Sequence, residues 1–466
     1  MVDRSYLLDD DAMRDFIVNG YHVITVDKPV ELHDDIYEKT KAIIDEDGNP
    51  GNNLLPRVPE IQQVYDDPSV RGALTSLLGP DYVMHAHRHP HVNPPNSRGG
   101  AWHKDSYWGY TKVRDHHPRW IMAMYYPQDT PVEIGPTGVI PGSHYVESRE
   151  ETVGGNGSVP DGFPASGKAG TVTIIHFDLW HRAFPNQTDK VRYMMKFQFT
   201  RMSEPDRPWW NRQHDDIDLG DLSDHPRSAM WRNMWHWLAG NGSAGTRREG
   251  AEHVEALAGD LTHELEQKRL HAAYTLAECG EAALPHLLSA LQHERDEVRR
   301  EACYGLGALG AAAVEPLVPL LGHGDERVRG YAVYALGDIR HNDPSVAERL
   351  AGLSDDPSPF VRQNLADALG QIKLAEDTAV PVLVGMMKDE DEQVRSRSAY
   401  ALARFGDEAQ VAIPHLADAC YDENRYVQGQ AAIALEQIGT PEALRTLLHW
   451  LQASRWCPLT TAKSTY

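Results

Sequence analysis

From Lys268 onward, apolar residues recur at i, i+4, i+7 and i+8, and one string keeps returning. "VRREACYGLGALG" begins at Val298, "VRGYAVYALGDI" at Val328, "VRQNLADALGQI" at Val361, "VRSRSAYALARFG" at Val394 and "VQGQAAIALEQIG" at Val427. A degenerate copy, "KRLHAAYTLAECG", precedes them at Lys268 with the same spacing that separates Val298 from Val328. The pattern within each copy is the buried stripe of an amphipathic helix. Between copies lie second apolar segments such as "AALPHLLSALQ" and "TAVPVLVGMMKD", with Pro285, Pro316, Pro381 and Pro414 expected in the first helical turn. Acidic turns such as "DDPSP" and "DEDEQ" stand just ahead of the next helix, where negative charge suits its N-terminus. Two helices in every copy of so short and regular a repeat predict an α-solenoid.

Before residue 238 the period shortens. "TVTIIHF" and "YMMKFQFTR" read as strands, separated by Gly-, Pro- and Asn-rich turns that include "VGGNGSVPDGFPASGKAG" at 153–170. Many short strands with such turns predict an all-β sandwich or barrel. A helix, "DDDAMRDFIVNG", precedes the first strand, and a Trp-rich helix, "SAMWRNMWHWLAG", closes this half. "GNGSAGTRREG" is the natural linker. The expected organisation is therefore a β domain over 1–239, a linker at 240–252, a solenoid over 253–454 and a tail at 455–466.

Composition narrows the partners. Lys+Arg 45 against Asp+Glu 68 gives a net charge of -23, which repels phosphate backbones and anionic membranes. No basic stripe offsets it, so neither nucleic acid nor membrane is expected. The cysteines, at 279, 303, 420 and 457, form no CxxC and read as reduced thiols. No basic-then-apolar leader and no apolar run long enough to span a bilayer is present, so a cytoplasmic location is expected.

Candidate chemistry sits in the β half. In "GGAWHKDSYW", His103 and Asp105 share a face if the segment is a strand. Well downstream "LWHRAFPN" supplies His181, and Arg192 follows at the start of the returning strand "VRYMMKFQF". Two histidines and one carboxylate on one side of a metal leave three open positions, as in non-haem Fe(II) oxygenases. A guanidinium at 192 can grip the distal carboxylate of 2-oxoglutarate bidentately. "MHAHRHPHVN" places His85, His87, His89 and His91 on one strand face, about 6.6 Å apart, too far for three rings to share an ion. They are expected to line the cavity rather than hold a metal, with His87, His89 and His91 as candidate substrate contacts. His116 and His117 are expected in a surface loop, His144 in a structural turn, His176 in the core, and the Trp cluster at 209–237 in interdomain packing.

The chain from about 5 to 205 resembles the phytanoyl-CoA dioxygenase family of Fe(II)/2-oxoglutarate oxygenases, on the H-x-D, His181 and Arg192 pattern together with "NGYHVI", "GPTGVIPGSHY" and "LWHRAFPN". The resemblance implies a double-stranded β-helix (jelly roll, cupin-like) with flanking helices. It implies His103, Asp105 and His181 as catalytic iron ligands and Arg192 as co-substrate anchor. It further implies Asn93 beside 2-oxoglutarate and Trp120 lining the site. Fe(II) is then the cofactor, with 2-oxoglutarate and O2 as co-substrates. One departure is Ala183, where some members carry a hydroxyl residue; the expectation is either that Thr188 or a water substitutes or that 2-oxoglutarate binds more weakly. Asp105 stands where halogenating relatives have Ala or Gly, which favours hydroxylation. Residues 265–454 resemble short HEAT repeats.

The reading is an oxygenase hydroxylating a small or carrier-linked organic substrate, with the HEAT array docking a protein or shielding the active-site mouth. The alternative is a HEAT scaffold carrying a vestigial oxygenase module. A third possibility, a di-iron solenoid built on His-Glu dipeptides, has only His263-Glu264 and His293-Glu294 in its favour.

Overall fold

A computed structural model describes residues 2–105, 115–149, 162–241 and 254–453. Most of the expected 240–252 linker, residues 153–161 of the long turn, and the 455–466 tail with Cys457 lie outside the described residues.

The N-terminal half is two antiparallel sheets. Strands β1 (Tyr21–Thr25), β2 (Val83–Asn93), β3 (Trp120–Tyr125), β6 (Thr171–His176) and β8 (Arg192–Thr200) form the larger, in the order β1-β6-β3-β8-β2; β4 (Thr137–Val139), β5 (Phe163–Pro164) and β7 (His181–Ala183) form the smaller, in the order β5-β4-β7. Side-chain alternation sends β3 and β8 two ways. Ile121, Ala123, Tyr125, Tyr193, Met195, Phe197 and Phe199 join the main core, while Met122, Met124 and Met194 join Val139, Ile175 and Leu179 in a second cluster. That second cluster lies between the sheets. Both faces of β8 are buried.

Four helices between β1 and β2 were not legible as such in the sequence: Val30–Asp47, Leu54–Arg57, Ile61–Tyr65 and Pro68–Leu78. They cover the outer face of the large sheet. Tyr65 shows the contact, its hydroxyl donating to the carbonyls of Ala123 and Met195 and its ring 4.4 Å from that of Phe197. The helix expected before β1 is Asp10–Asn19, closed by Gly20 at φ 79°, and the Trp-rich helix is Ser228–Leu238.

The solenoid follows the repeat. Its inner helices are Glu266–Glu278, Asp296–Leu309, Glu326–Ile339, Pro359–Ile372, Glu392–Phe405 and Arg425–Ile438. The recurring Val-Arg pair has a physical reason. Val298, Val328, Val361 and Val394 are fully buried. Arg329, Arg362 and Arg395 each bridge to an aspartate of the following turn (Asp356, Asp389, Asp422) and donate to a carbonyl just ahead of their own helix. Each arginine thus ties one repeat to the next. Pro381 departs from expectation: its helix, Glu376–Met386, starts a turn early, so the proline sits inside it and removes one ladder bond. By composition, Asp296–Gly322 is helical and apolar enough to cross a membrane. It comprises several short solenoid elements, half buried against their neighbours.

One ridge of inner helices packs on the β domain. His116, expected at the surface, is buried there with Nδ1 2.8 Å from the Tyr274 hydroxyl, and His117 is buried with Nδ1 3.0 Å from Asp338. The side chains that meet both histidines, Tyr274 and Asp338, come from the solenoid. Trp237 sits at the centre of this contact. His117 stacks on it at 4.2 Å, and the guanidinium groups of Arg119, Arg201 and Arg340 lie 5.1, 5.2 and 5.9 Å from its ring.

Candidate active site

The two histidines are brought together by backbone. His103 and His181 form an isolated antiparallel bridge, each N–H donating to the other's carbonyl at 3.0 and 2.9 Å, and β7 is held in turn by β4 through Val139 opposite His181. The H-x-D segment is therefore a single bridge rather than the strand its alternation suggests. A turn brings Asp105 round instead. Lys104 fixes that turn, its buried ammonium donating to the carbonyls of Ser143 (3.1 Å) and Val146 (2.7 Å) within and just after the "PGSHY" stretch.

The result is a compact ligand set. The Oδ1 of Asp105 lies 4.0 Å from His103 Nε2 and 3.9 Å from His181 Nε2, and the three ligand atoms fall within 4.8 Å of one another. Each ring gives its other nitrogen to a carbonyl, His103 Nδ1 to Ala101 and His181 Nδ1 to Leu179, both at 2.9 Å. These bonds place the proton on Nδ1 and turn the Nε2 lone pairs inward, the outer-shell arrangement that metal-binding histidines use. Burial pushes His181 down to about 4, so its ring is neutral at neutral pH. Burial raises Asp105, but Lys196 and His181 outweigh it and hold the carboxyl at about 2. The donor set fits a divalent cation with open positions.

Lys196, on β8, is a residue that sequence reasoning missed. It is buried, and its Nζ donates to Asp105 Oδ2 at 2.7 Å, leaving Oδ1 to face the histidines. The signal was strand alternation: Arg192, Met194, Lys196, Gln198 and Thr200 share the inner face of β8.

Arg192 lies on that face, almost fully buried. Its Nε donates to the Gly135 carbonyl at 3.0 Å, while Nη1 has no partner among the described residues. Asn93 is opposite it in register, but its Nδ2 donates to the carbonyls of Gly135 and Phe184, both at 3.0 Å. Its amide protons therefore hold the Gly135 turn instead of pointing into the cavity. Gly135 has φ 73°, and a Cβ there runs into Asn93 Nδ2 and the Phe184 carbonyl. Only glycine fits. Thr188 does not replace the hydroxyl missing at Ala183, because its Oγ1 is turned back onto Asn186 Oδ1 at 2.8 Å. Tyr126 does come near: its ring centre is 5.9 Å from the Arg192 guanidinium.

The histidine row faces the same space. His89 and His91 pair with Lys196 and Met194 of β8, and neighbouring rings from His87 to His91 lie 6.3 and 5.2 Å apart. A bulge between Met84 and Arg88 displaces His85 toward the solenoid, where its Nε2 is 3.2 Å from Gln430 and its ring 5.2 Å from that of Trp120. Burial, with Lys196 next in effect, lowers His87 to about 4 and His91 well below the usual value, so the row is a neutral wall. Among the described residues, none of the row joins a ligand-spaced group, nor do His263-Glu264 and His293-Glu294. A second such group, Asp115, His117 and Asp338, is filled by Arg119, which reaches Asp115 at 2.5 Å and Asp338 at 3.0 Å. His144 and His176 are buried with ring centres 4.8 Å apart, and Trp120 lies 6.2 Å from Phe177 and 5.4 Å from Tyr400 of the solenoid.

Comparison with known proteins adds the family. The phytanoyl-CoA dioxygenase profile matches residues 32–194, a stretch that includes all three candidate ligands and Arg192, and the HEAT-repeat profile matches overlapping segments from 254 to 457. No curated protein matches the chain. Solved structures similar to it include the non-heme alpha ketoglutarate dependent carbocyclase SnoK from nogalamycin biosynthesis, 18% identical with a TM-score of 0.34 over 44% of this chain and 88% of that one. HygX from Streptomyces hygroscopicus, with nickel and 2-oxoglutarate bound, is 15% identical with a TM-score of 0.34 over 42% of this chain and 88% of that one. An engineered protein is 25% identical with a TM-score of 0.30 over 40% of this chain and 97% of that one. The chain thus carries a phytanoyl-CoA dioxygenase family domain, matched over residues 32–194, followed by HEAT repeats matched over 254–457.

Proposed function

We propose that this protein is an Fe(II)- and 2-oxoglutarate-dependent oxygenase that hydroxylates a C–H bond of a small or carrier-linked organic substrate. His103, Asp105 and His181 hold the metal in this reading. The observation that carries it is the convergence of two Nε2 atoms and one carboxylate oxygen, with both Nδ1 atoms already tied to backbone. Bound ferrous iron supplies O2 activation coupled to oxidation of 2-oxoglutarate, chemistry that side chains alone lack.

The chain's own residues do the rest. Lys196 keeps Oδ2 of Asp105 engaged, so the carboxylate offers a single oxygen. Arg192 gives its Nη1, which has no partner among the described residues, to the distal carboxylate of 2-oxoglutarate, in a cavity dry enough for a charge-assisted bond to count. The Tyr126 hydroxyl accepts from Thr137 N at 2.8 Å and keeps its own proton to donate, which supplies the hydrogen bond that Ala183 cannot. Asn93 acts one step back, by fixing the Gly135 carbonyl that orients Arg192. The neutral histidine row and Met122, Met124 and Met194 exclude water from the reacting region. The solenoid shields the mouth of this cavity, with any protein docking left to its outer surface. The three described cysteines are free thiols, which suits a cytoplasmic setting.

The test is anaerobic reconstitution of the full chain. The wild type should bind one Mn(II) or Fe(II) and, in air, release succinate from 2-oxoglutarate. Asp105→Ala should bind metal at least about 10-fold more weakly, as loss of a charged ligand implies. Equal metal binding by both proteins would sink the assignment.

A further inference from the structure

The inner face of β8 is a line with three stations. Arg192 stands at one end, Lys196 with Asp105 in the middle, and Thr200 at the other, where its hydroxyl meets the Tyr400 hydroxyl of the solenoid at 2.6 Å. At the strand rise, Thr200 is about 13 Å beyond Lys196, on the side away from the co-substrate anchor. There the β domain and the helices Pro359–Ile372, Glu392–Phe405 and Arg425–Ile438 line a narrow cleft that is partly open to solvent. Both halves of the molecule line it: Trp120 from β3, and Gln371, Arg397, Tyr400 and Gln430 from the solenoid.

Two side chains in this cleft are buried with hydrogen-bonding capacity to spare. Arg397 is 6% exposed; its Nη1 donates to Asp367 at 2.5 Å, and Nη2 has no partner among the described residues. Gln430 is 1% exposed; one end of its amide meets His85, and Oε1 has no partner among the described residues. Leaving such groups unmet in a closed interface is costly. The charges, by contrast, are balanced. The three arginines lining the cleft are matched, Arg119 by Asp115, Arg397 by Asp367 and Arg404 by Glu204. Among the described residues, each guanidinium lining the cleft thus already has a carboxylate partner.

We propose that this cleft is the substrate-recognition subsite, shared between the oxygenase domain and the HEAT array. It takes a neutral, ring-bearing molecule with a carbonyl oxygen for Arg397 Nη2 and a hydroxyl for Gln430 Oε1. Trp120 and Tyr400 supply the aromatic surface against which the ring rests. The inference rests on the proposed oxygenase reading for its direction along β8, and it gives the solenoid a role in choosing the substrate.

The test uses metal-free, full-length protein carrying Arg192→Met, which removes the other buried guanidinium that takes a carboxylate, and ligand-observed saturation-transfer NMR with 4-hydroxyacetophenone as probe and its anionic counterpart, 4-hydroxybenzoate. The neutral probe should bind, and the anion at least about 10-fold more weakly. Arg397→Met and, independently, Gln430→Met should each weaken the neutral probe about 10-fold, with circular dichroism reporting that each variant is folded. Asp105→Ala should leave probe binding unchanged, which separates this subsite from the metal site. Tighter binding of the anion, no binding of either probe, or unchanged binding in both folded variants overturns the proposal. Loss of Mn(II) binding by the wild type, with the probe results as expected, overturns the oxygenase reading alone.

Discussion

Arg192 is the sharpest residue-scale case. A guanidinium buried to 1% exposure, with one nitrogen unpartnered among the described residues, is a standing cost, and a bound carboxylate relieves it. A hydrogen bond to a charged group is worth about 1.5–3 kcal/mol. Arg192→Met should therefore weaken 2-oxoglutarate binding by roughly 10- to 100-fold, read by calorimetry on the metal-loaded protein, with metal affinity retained. Tyr126→Phe removes a neutral donor and should cost roughly 5-fold on the same measurement. A Tyr126→Phe protein that binds 2-oxoglutarate like wild type would return the missing hydroxyl's role to water. The residue types and spacing of the triad and Arg192 were visible in the sequence because they recur in a known family pattern. Lys196 and Tyr126 were not, since a lone lysine or tyrosine on a strand says nothing until its face is known.

Among elements, the solenoid was the most legible part, since each repeat repeats its own reasons. The Val-Arg pair marks a buried anchor and a bridge to the next repeat, and Arg362 shows the bridge at its best. Its guanidinium meets both oxygens of Asp389 at 2.6 and 2.8 Å, with both side chains 9% exposed. Arg362→Met breaks this bidentate pair and strands a largely buried carboxylate. It should lower unfolding stability by about 2–4 kcal/mol, checked by guanidinium denaturation. The same substitution at the more exposed Arg295 should leave the denaturation midpoint nearly unchanged. The helices over 30–78 were missed because their apolar positions serve a sheet already buried on its other face. No turn signals as strong as those of the repeats mark them off.

Across the whole molecule, the two halves meet through buried charge. Burial pushes Glu204 up, but Arg119, Arg404 and Arg340 hold it well below the usual carboxylate range. Its folded value is depressed, so the stability it contributes is present above the unfolded value, about 4.3, and is lost as pH falls toward the folded one. Stability should be nearly flat from pH 7 to about 5 and fall below about pH 4, followed by urea midpoints. Glu204→Gln should lower the neutral-pH value by about 3–5 kcal/mol and reduce the acid slope, because three guanidinium groups lose their shared counter-ion. A variant with the wild-type acid slope would show that the slope arises elsewhere. The same contact explains why His116 and His117 read as surface in the sequence: the elements that bury them, at Tyr274 and Asp338, belong to the solenoid and lie far downstream.

Periodicity alone determined that this chain is a β domain followed by a helical array, because each residue's local environment recurs with the period of its strand or helix and leaves its mark on composition. The candidate metal-ligand pattern was likewise written in residue types. Tertiary structure alone decided which histidines converge and which merely line a wall. It also decided that Lys196 governs the orientation of Asp105, and that the solenoid closes on the oxygenase. These are contacts between residues far apart in the chain, and no local pattern carries the distance between them.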